Sequence, residues 1–317
     1  MEEYSIMKIS KPSWQGLLMV AVAFALVIQF RGPVKAGPPC PFHTIEGVSG
    51  GAFTPMACLV NADSRPEGAI FGKPAFALTY VNMGEKNLDA ITFTQTAWSR
   101  VEFGYAANRL GLGSLPRAIR NATAVDIQAS DVWLHHFNLR LLAVKENTYL
   151  GGLAMPAVTA GVHFKVNDGI ADIDRRLGGA LAGIGYDRAD GTDFTITATK
   201  TIPEVFGHPL LLTAGGRATN AAQLGLLGFS NEYHGCFEGN IVYFPADWLI
   251  LAYEFRQKPD PYRQIAGLIG DENNWHGVDV AVILNKQTTF CAGWGSFATI
   301  ANTEENGVWW LQLKHEF

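Results

Sequence analysis

Apolar and polar residues alternate with a period of two along most of the chain beyond residue 73, the pattern of strands with two unlike faces. Over 158–166, Val158, Ala160, Val162, Phe164 and Val166 share one face, and Thr159, Gly161, His163 and Lys165 the other. Residues 192–201 set Phe194, Ile196 and Ala198 against Thr195, Thr197 and Thr199. Residues 248–256 set Leu249, Leu251, Tyr253 and Phe255 against Ile250, Ala252, Glu254 and Arg256. In 131–141, Trp133, Phe137, Leu139 and Leu141 oppose His136, Asn138 and Arg140. Marking every such run predicts twelve strands, near 74–83, 88–97, 100–108, 131–145, 155–166, 192–201, 208–219, 236–244, 248–256, 275–284, 288–299 and 307–317. Most have about the 9–11 residues that a tilted strand needs to cross a bilayer.

The intervening segments are alternately short and long. Residues 98–99, 146–154, 202–207, 245–247 and 285–287 are short; 109–130, 167–191, 220–235 and 257–274 are long, with 84–87 and 300–306 the shorter members of that set. Long loops at one end and tight turns at the other are the arrangement of an outer-membrane barrel. A soluble sandwich has no reason to keep them apart. The expected fold is therefore all-β: a closed antiparallel transmembrane barrel of about twelve strands over residues 74–317.

The last strand sets Trp309, Leu311, Leu313, His315 and Phe317 against Trp310, Gln312, Lys314 and Glu316. An aromatic carboxy-terminal residue on such a strand resembles the signal by which bacterial barrels are recognised for assembly. Trp98, Trp133, Trp248, Trp275, Trp309 and Phe317 fall near strand ends, where membrane barrels carry aromatic girdles.

Residues 1–36 read as a cleaved signal peptide: Lys8 and Lys11, an apolar run from Gly16 to Ile28, then small Val34 and Ala36. The alternative is an uncleaved anchor, with Arg31 after the apolar run in its support. Cys40 follows Gly-Pro-Pro and lacks the setting of a lipidated cysteine. Beyond residue 36, 281 residues remain, with 20 basic and 27 acidic side chains and a net charge of −7, which argues against nucleic acid as a partner. The chain has 34 glycines and 17% charged residues, against about 25% in soluble domains. No later apolar run approaches the roughly 18 residues of a helical span, so a membrane protein of this composition must close its strands into a barrel.

Of the four cysteines, Cys40 and Cys58 are candidates for a disulfide around the N-terminal segment, given an oxidising compartment. Cys236 and Cys291 fall in separate predicted strands as small apolar fillers. The segment 37–73 is rich in glycine and proline and fits no membrane strand. It serves either as a periplasmic linker or as a plug in the barrel mouth, and the small residues from Val48 to Ala52 favour the plug.

Thr44-Ile45-Glu46-Gly47-Val48-Ser49-Gly50-Gly51, Asp190-Gly191-Thr192-Asp193-Phe194, Arg217-Ala218-Thr219-Asn220, Gly225-Leu226-Leu227-Gly228-Phe229 and Glu254-Phe255-Arg256-Gln257-Lys258-Pro259-Asp260 together resemble a bacterial family of exported, barrel-like proteins, domain of unknown function 3034. The resemblance covers nearly the whole mature chain. It implies an outer-membrane location and supplies neither an activity nor catalytic residues. Cys40 and Cys58 depart from the family pattern.

No metal-ligand spacing, nucleophile elbow or phosphate loop is present, and no cofactor is expected. Gly111-Leu112-Gly113-Ser114 lacks the lysine of a phosphate cradle, and His135 and His136 face opposite ways. Asn121-Ala122-Thr123 fits a glycosylation sequon by chance. Ser230, Glu232 and His234, in one predicted external loop, are the only set resembling an outer-membrane enzyme site. With the apolar faces turned to lipid, Arg100, Arg140, Lys165, Arg217, Arg256 and Lys314 enter the lumen, as do Glu102, Glu238, Glu254, Asp279 and Glu316. Buried charges must pair or meet water. Arg100 with Glu102, and Glu254 with Arg256, are expected to form ladders along the wall. The first functional expectation is a narrow channel or transport component for small polar solutes. The competing one is a structural or accessory barrel with a closed lumen, and an outer-membrane enzyme is third.

Overall fold

The computed structural model describes residues 40, 42–62 and 68–317; the signal peptide expected over 1–36 lies outside them. Twelve antiparallel strands close on themselves: β1 (Ala75–Met83), β2 (Lys86–Ala97), β3 (Val101–Gly111), β4 (Asp131–Val144), β5 (Ala157–Asp168), β6 (Asp190–Val205), β7 (His208–Ala221), β8 (Phe229–Ala246), β9 (Leu249–Arg256), β10 (Trp275–Ile283), β11 (Thr288–Ser296) and β12 (Val308–Glu316). Each strand pairs with its neighbour in sequence, and β12 returns to β1 with Trp309 opposite Asn82 and Glu316 opposite Ala75. Closure leaves no barrel strand with an unpaired edge.

The alternation sorts side chains as it predicts. Val278, Val280, Leu251 and Tyr253 are 40–48% exposed on the outer face, and Leu249 is half-buried there. The intervening positions are buried inside. In β12 the inner face is Val308, Trp310, Gln312, Lys314 and Glu316. Trp98, Trp133, Trp248 and Phe317 lie outward near strand ends. Trp275 does not: it is 2% exposed, and its ring stacks on Phe297 with centroids 4.0 Å apart. Trp275 shares its parity with Asp279, so the strand itself turns it inward and away from a girdle.

The connections at one end are short, apart from 145–156 between β4 and β5. Trp98-Ser99 joins β2 to β3 with both residues at positive φ, 51° and 53°, the two-residue geometry that follows the twist of a hairpin. The opposite end carries the long loops. That between β3 and β4 holds α1 (Leu115–Thr123), which starts with a proline in its first turn and ends at Ala124 in the left-handed region. Leu115 and Ile119 turn one side of it inward. The β5–β6 loop holds α2 (Ile170–Arg176). These loops fold over the long-loop end as an apolar lid that includes Leu112, Leu115, Ile119, Leu226, Tyr262 and Phe297.

β8 begins at Phe229, seven residues before the predicted start at 236. Residues 229–235 stand at the lid end of the strand and show no clear alternation of exposure, so periodicity cannot find them. Ser230, Glu232 and His234 consequently belong to this strand and not to a loop.

Candidate functional site

The lumen holds residues 42–60 of the chain's own N-terminal segment, nearly all fully buried. The segment is folded on itself. Phe42–His43 pairs antiparallel with Ser49–Gly50, and Ile45 N–H donates to Ala52 O at 2.9 Å. Cys40 and Cys58 are disulfide-bonded across its base, with Cα atoms 6.1 Å apart. Two glycines set how closely it approaches the wall. Gly47 sits at φ +81°, and its carbonyl oxygen lies where a Cβ on Gly104 of β3 would be, at 2.0 Å.

Three sets of wall residues hold this segment. In the first, Glu102 of β3 and Arg140 of β4 are direct cross-strand partners and form a fully buried ion pair at 2.9 Å. Their remaining capacity goes to the segment. Arg140 donates to the carbonyls of Ser49 (3.1 Å) and Met56, while Glu102 accepts from Val60 N–H (2.9 Å) and the Ser49 hydroxyl. In the second, Glu254 of β9 accepts the backbone N–H groups of Ala52 (2.6 Å), Phe53 (3.2 Å) and Thr54 (2.8 Å), and the Thr54 hydroxyl. A Cβ on Gly51 would stand 2.2–2.6 Å from that carboxylate group and would push it away from these donors.

The third set is centred on Glu46, the segment's own carboxylate. It meets Lys165 of β5 at 2.7 Å, Arg217 of β7 at 3.0 Å, and Arg256 of β9. Asp193 of β6 meets Lys165 and Arg217, each at 2.7 Å. Glu238 of β8 meets Arg217 at 3.2 Å and Arg256 at 3.1 Å. The cluster thus has three cations and three carboxylates, one of which comes from the segment. Buried charges of this kind are tolerable only when matched and fully hydrogen-bonded.

Further contacts flank these. His43 lies between the hydroxyls of Thr92 and Thr94, and its backbone exchanges hydrogen bonds with Gln312, at 3.0 and 2.6 Å. Lys314 donates to Cys40 O and pairs with Glu316. At the other extreme Phe53 enters an aromatic box, with Trp275, Phe297 and Trp310 centroids at 6.1, 5.6 and 5.7 Å. Burying that ring contributes about 1.5–3 kcal/mol. Gly293 makes room for the indole of Trp310, whose N–H donates to Asp279 at 2.7 Å. Asp279 also accepts from the thiol of Cys291 at 3.3 Å.

Arg140, Lys165, Arg217, Arg256, Lys314, Glu102, Glu238, Glu254, Asp279 and Glu316 all lie inside. Arg100 does not. It is exposed, ahead of β3 in the Trp98-Ser99 turn, and its guanidinium donates to Leu142 O at 3.1 Å on the rim. The ladder expected between Arg100 and Glu102 is therefore absent; Glu102 pairs with Arg140 instead. The expected Glu254–Arg256 pair is also replaced. Arg256 turns to Glu46 and to its direct cross-strand partner Glu238, leaving Glu254 to the segment's backbone. Sequence reasoning overlooked Glu46 and Asp193. Glu46 stood out as the one acidic residue in 44–51, and Asp193 has the inward parity of Thr195 and Thr197. The Ser230 hydroxyl donates to the carbonyls of Asn220 and Glu232, and His234 sits opposite Thr219, so the candidate catalytic set is not assembled.

Above the segment the lid has its own buried pair. Lys258 meets Glu272 at 2.8 Å and lies 4.7 Å from the centre of the Trp275 ring. Burial pushes Glu272 up and Lys258 down, each partly offset by the other's charge.

No curated protein matches the chain. Among solved structures, it is similar to the Acinetobacter baumannii outer membrane protein Omp33, at 8% identity over 78% of this chain and 98% of that one, with a TM-score of 0.38. It is also similar to the Salmonella typhi outer membrane phospholipase (OMPLA) dimer with bound calcium, at 6% identity over 81% and 96% of the two chains and a TM-score of 0.38. A triple mutant of the Rhodopseudomonas blastica porin matches at 11% identity over 78% and 99%, with a TM-score of 0.24. Similarities at this level bear on neither activity nor ligand. The family model described as protein of unknown function (DUF3034) matches residues 40–314, from the first cysteine of the luminal segment to the lysine that holds its carbonyl, and the chain belongs to that family.

Proposed function

We propose that this protein is an outer-membrane barrel whose lumen is a narrow pathway for small polar solutes, shut at rest by residues 40–60 acting as a plug. The observation that carries this reading is the way the segment is held. It is bound to polar wall groups by charges and backbone hydrogen bonds along its middle, between an apolar tip at Phe53 and an apolar base where Phe42 and Met56 cluster with Leu211, Val242, Ile250 and Ile283. The polar middle of the wall can exchange its contacts for water when the segment leaves, whereas an all-apolar core cannot. The apolar outer face supports the membrane placement, with the short-turn end and the disulfide-bonded base of the segment facing the periplasm. The reading assigns no catalytic chemistry to the chain.

A second reading, a structural or accessory barrel that never conducts, is favoured by the lid, which adds an apolar layer above the plug. Planar-bilayer recordings separate the two. On the channel reading the full chain is mostly silent, and the chain lacking residues 42–57 conducts in steps. A deleted chain that folds into the membrane and stays silent establishes the closed barrel.

A further inference from the structure

We infer that the Cys40–Cys58 disulfide is a redox-operated catch that holds the luminal segment in its closed position. This rests on the reading of residues 40–60 as the plug. The bond joins the two limbs of the segment at its base, and every residue of the segment that touches Glu254 or the Glu46 cluster lies between the two cysteines. Lys314 holds the Cys40 carbonyl, and beyond Cys58 the chain passes Val60, held by Glu102, to Ala62, whose carbonyl accepts from Ser99 in the β2–β3 turn at 2.5 Å. The bond thus faces the short-turn end. Cys40 is buried and Cys58 half-buried, which makes Cys58 the more accessible half of the bond. The other two cysteines, Cys236 and Cys291, are buried free thiols on the barrel wall.

The effect of the bond follows from chain entropy. A cross-link over a sequence separation of 18 removes freedom from the segment once it is out of the lumen, and leaves its docked contacts untouched. For a loop of this size the closed state gains about a hundredfold over the open one. The reductant required is a dithiol. One thiolate attacks Cys58 Sγ, the Sγ–Sγ bond breaks, and Cys40 leaves as a thiolate that takes up a proton. The second thiol of the reductant then attacks its own half of the mixed disulfide and releases Cys58. Two electrons pass from the dithiol to the protein, and the dithiol leaves as its cyclic disulfide.

The test is single-channel recording of the full-length protein in planar bilayers, with dithiothreitol added to the short-turn side and the thiol state read by alkylation and mass spectrometry. The expected result is a rise in open probability of about a hundredfold on reduction, reversed by diamide. A Cys40→Ser/Cys58→Ser variant should be open to the same extent and indifferent to dithiothreitol. Reduction acts on protein already folded, so the test stands even where that variant fails to assemble. A bond that resists dithiothreitol in the folded barrel overturns the catch, because a catch must be reachable. So does a reduced protein that stays closed while Glu46→Gln opens it; the plug reading then survives alone. If neither reduction nor Glu46→Gln opens the pore, the plug reading falls with it.

Discussion

Replacing Glu46 by glutamine changes the shape of the segment hardly at all and removes one charge from a cluster of six. The wall then presents Lys165, Arg217 and Arg256 to only Asp193 and Glu238. Each cation keeps a carboxylate neighbour, but the cluster is left with one uncompensated positive charge, at a site where Lys165 and Glu46 are each about 97–100% shielded from solvent. Breaking a buried pair by removing one member costs about 3–5 kcal/mol. The cost falls on the docked state alone, because water and counterions reach the cluster once the segment has left. At about 1.4 kcal/mol per decade, docking weakens by two to four orders of magnitude. Glu46→Gln should therefore convert a mostly closed protein into one that is open for a large fraction of recording time. In parallel, residues 40–60 should become cleavable by an added protease while the barrel keeps its heat-modifiable migration. A variant that folds, conducts as rarely as wild type and protects its segment equally well would refute the reasoning. Glu46 would then be a passenger in a network the wall can satisfy alone.

Val278 lies on the outer face near the middle of β10, between Tyr253 and Trp294; Val278→Arg should cost about 2–4 kcal/mol of barrel stability in lipid, measured by reversible urea unfolding in vesicles. Gly104→Ala should lift the segment off β3, because its Cβ would stand 2.0 Å from the Gly47 carbonyl oxygen; protease sensitivity of residues 40–60 should rise with little change in barrel unfolding. In the lid, burial raises the phenol of Tyr262, which donates to Leu227 O at 2.9 Å, and also that of Tyr186. Above the ordinary value of 10.0 an unfolded lid loses protons that the folded lid keeps, so lid stability falls as pH rises through and beyond 10.0. Tyrosinate absorbance should show these two rings titrating late and together with proteolytic opening of the loops, and their normal titration in an intact lid would contradict the burial argument.

The barrel was legible because each strand divides two faces, an apolar exterior and a largely polar interior, and so keeps its period of two. The errors show what that period does not contain. It gives the face of a residue and not its height: Arg100 has inward parity but stands below the first rung of β3, at the rim, where its side chain reaches outward to backbone carbonyls. Parity itself places Trp275 inside with Asp279, and proximity to a strand end was the weaker guide. The ladder drawn between Glu254 and Arg256 took partners along one strand, whereas facing residues on neighbouring strands lie closer together. The pairs that form run across strands: Glu102 with Arg140, and Glu238 with Arg256, both directly opposite in register.

The luminal segment has no period to read, and most of its recognition uses backbone groups that any residue carries. Its place in the lumen is nevertheless recorded in the wall, as two mismatches. Lys165, Arg217 and Arg256 outnumber the wall carboxylates beside them by one, and among the described residues Glu254 has no cation within ion-pair distance. The excess cation would be costly in a lumen filled only by the wall's own side chains, since an uncompensated buried charge costs several kcal/mol. The segment resolves both: Glu46 supplies the missing negative charge, and the N–H groups of Ala52, Phe53 and Thr54 supply the missing donors. An odd inward cation and an unmatched inward carboxylate on facing strands therefore point to something else in the lumen. Water and ions would serve as well as a protein segment in an open pore. What selects the segment here is geometry, because glycine at positions 47, 51 and 104 lets its backbone come within contact of the wall where a side chain would block it.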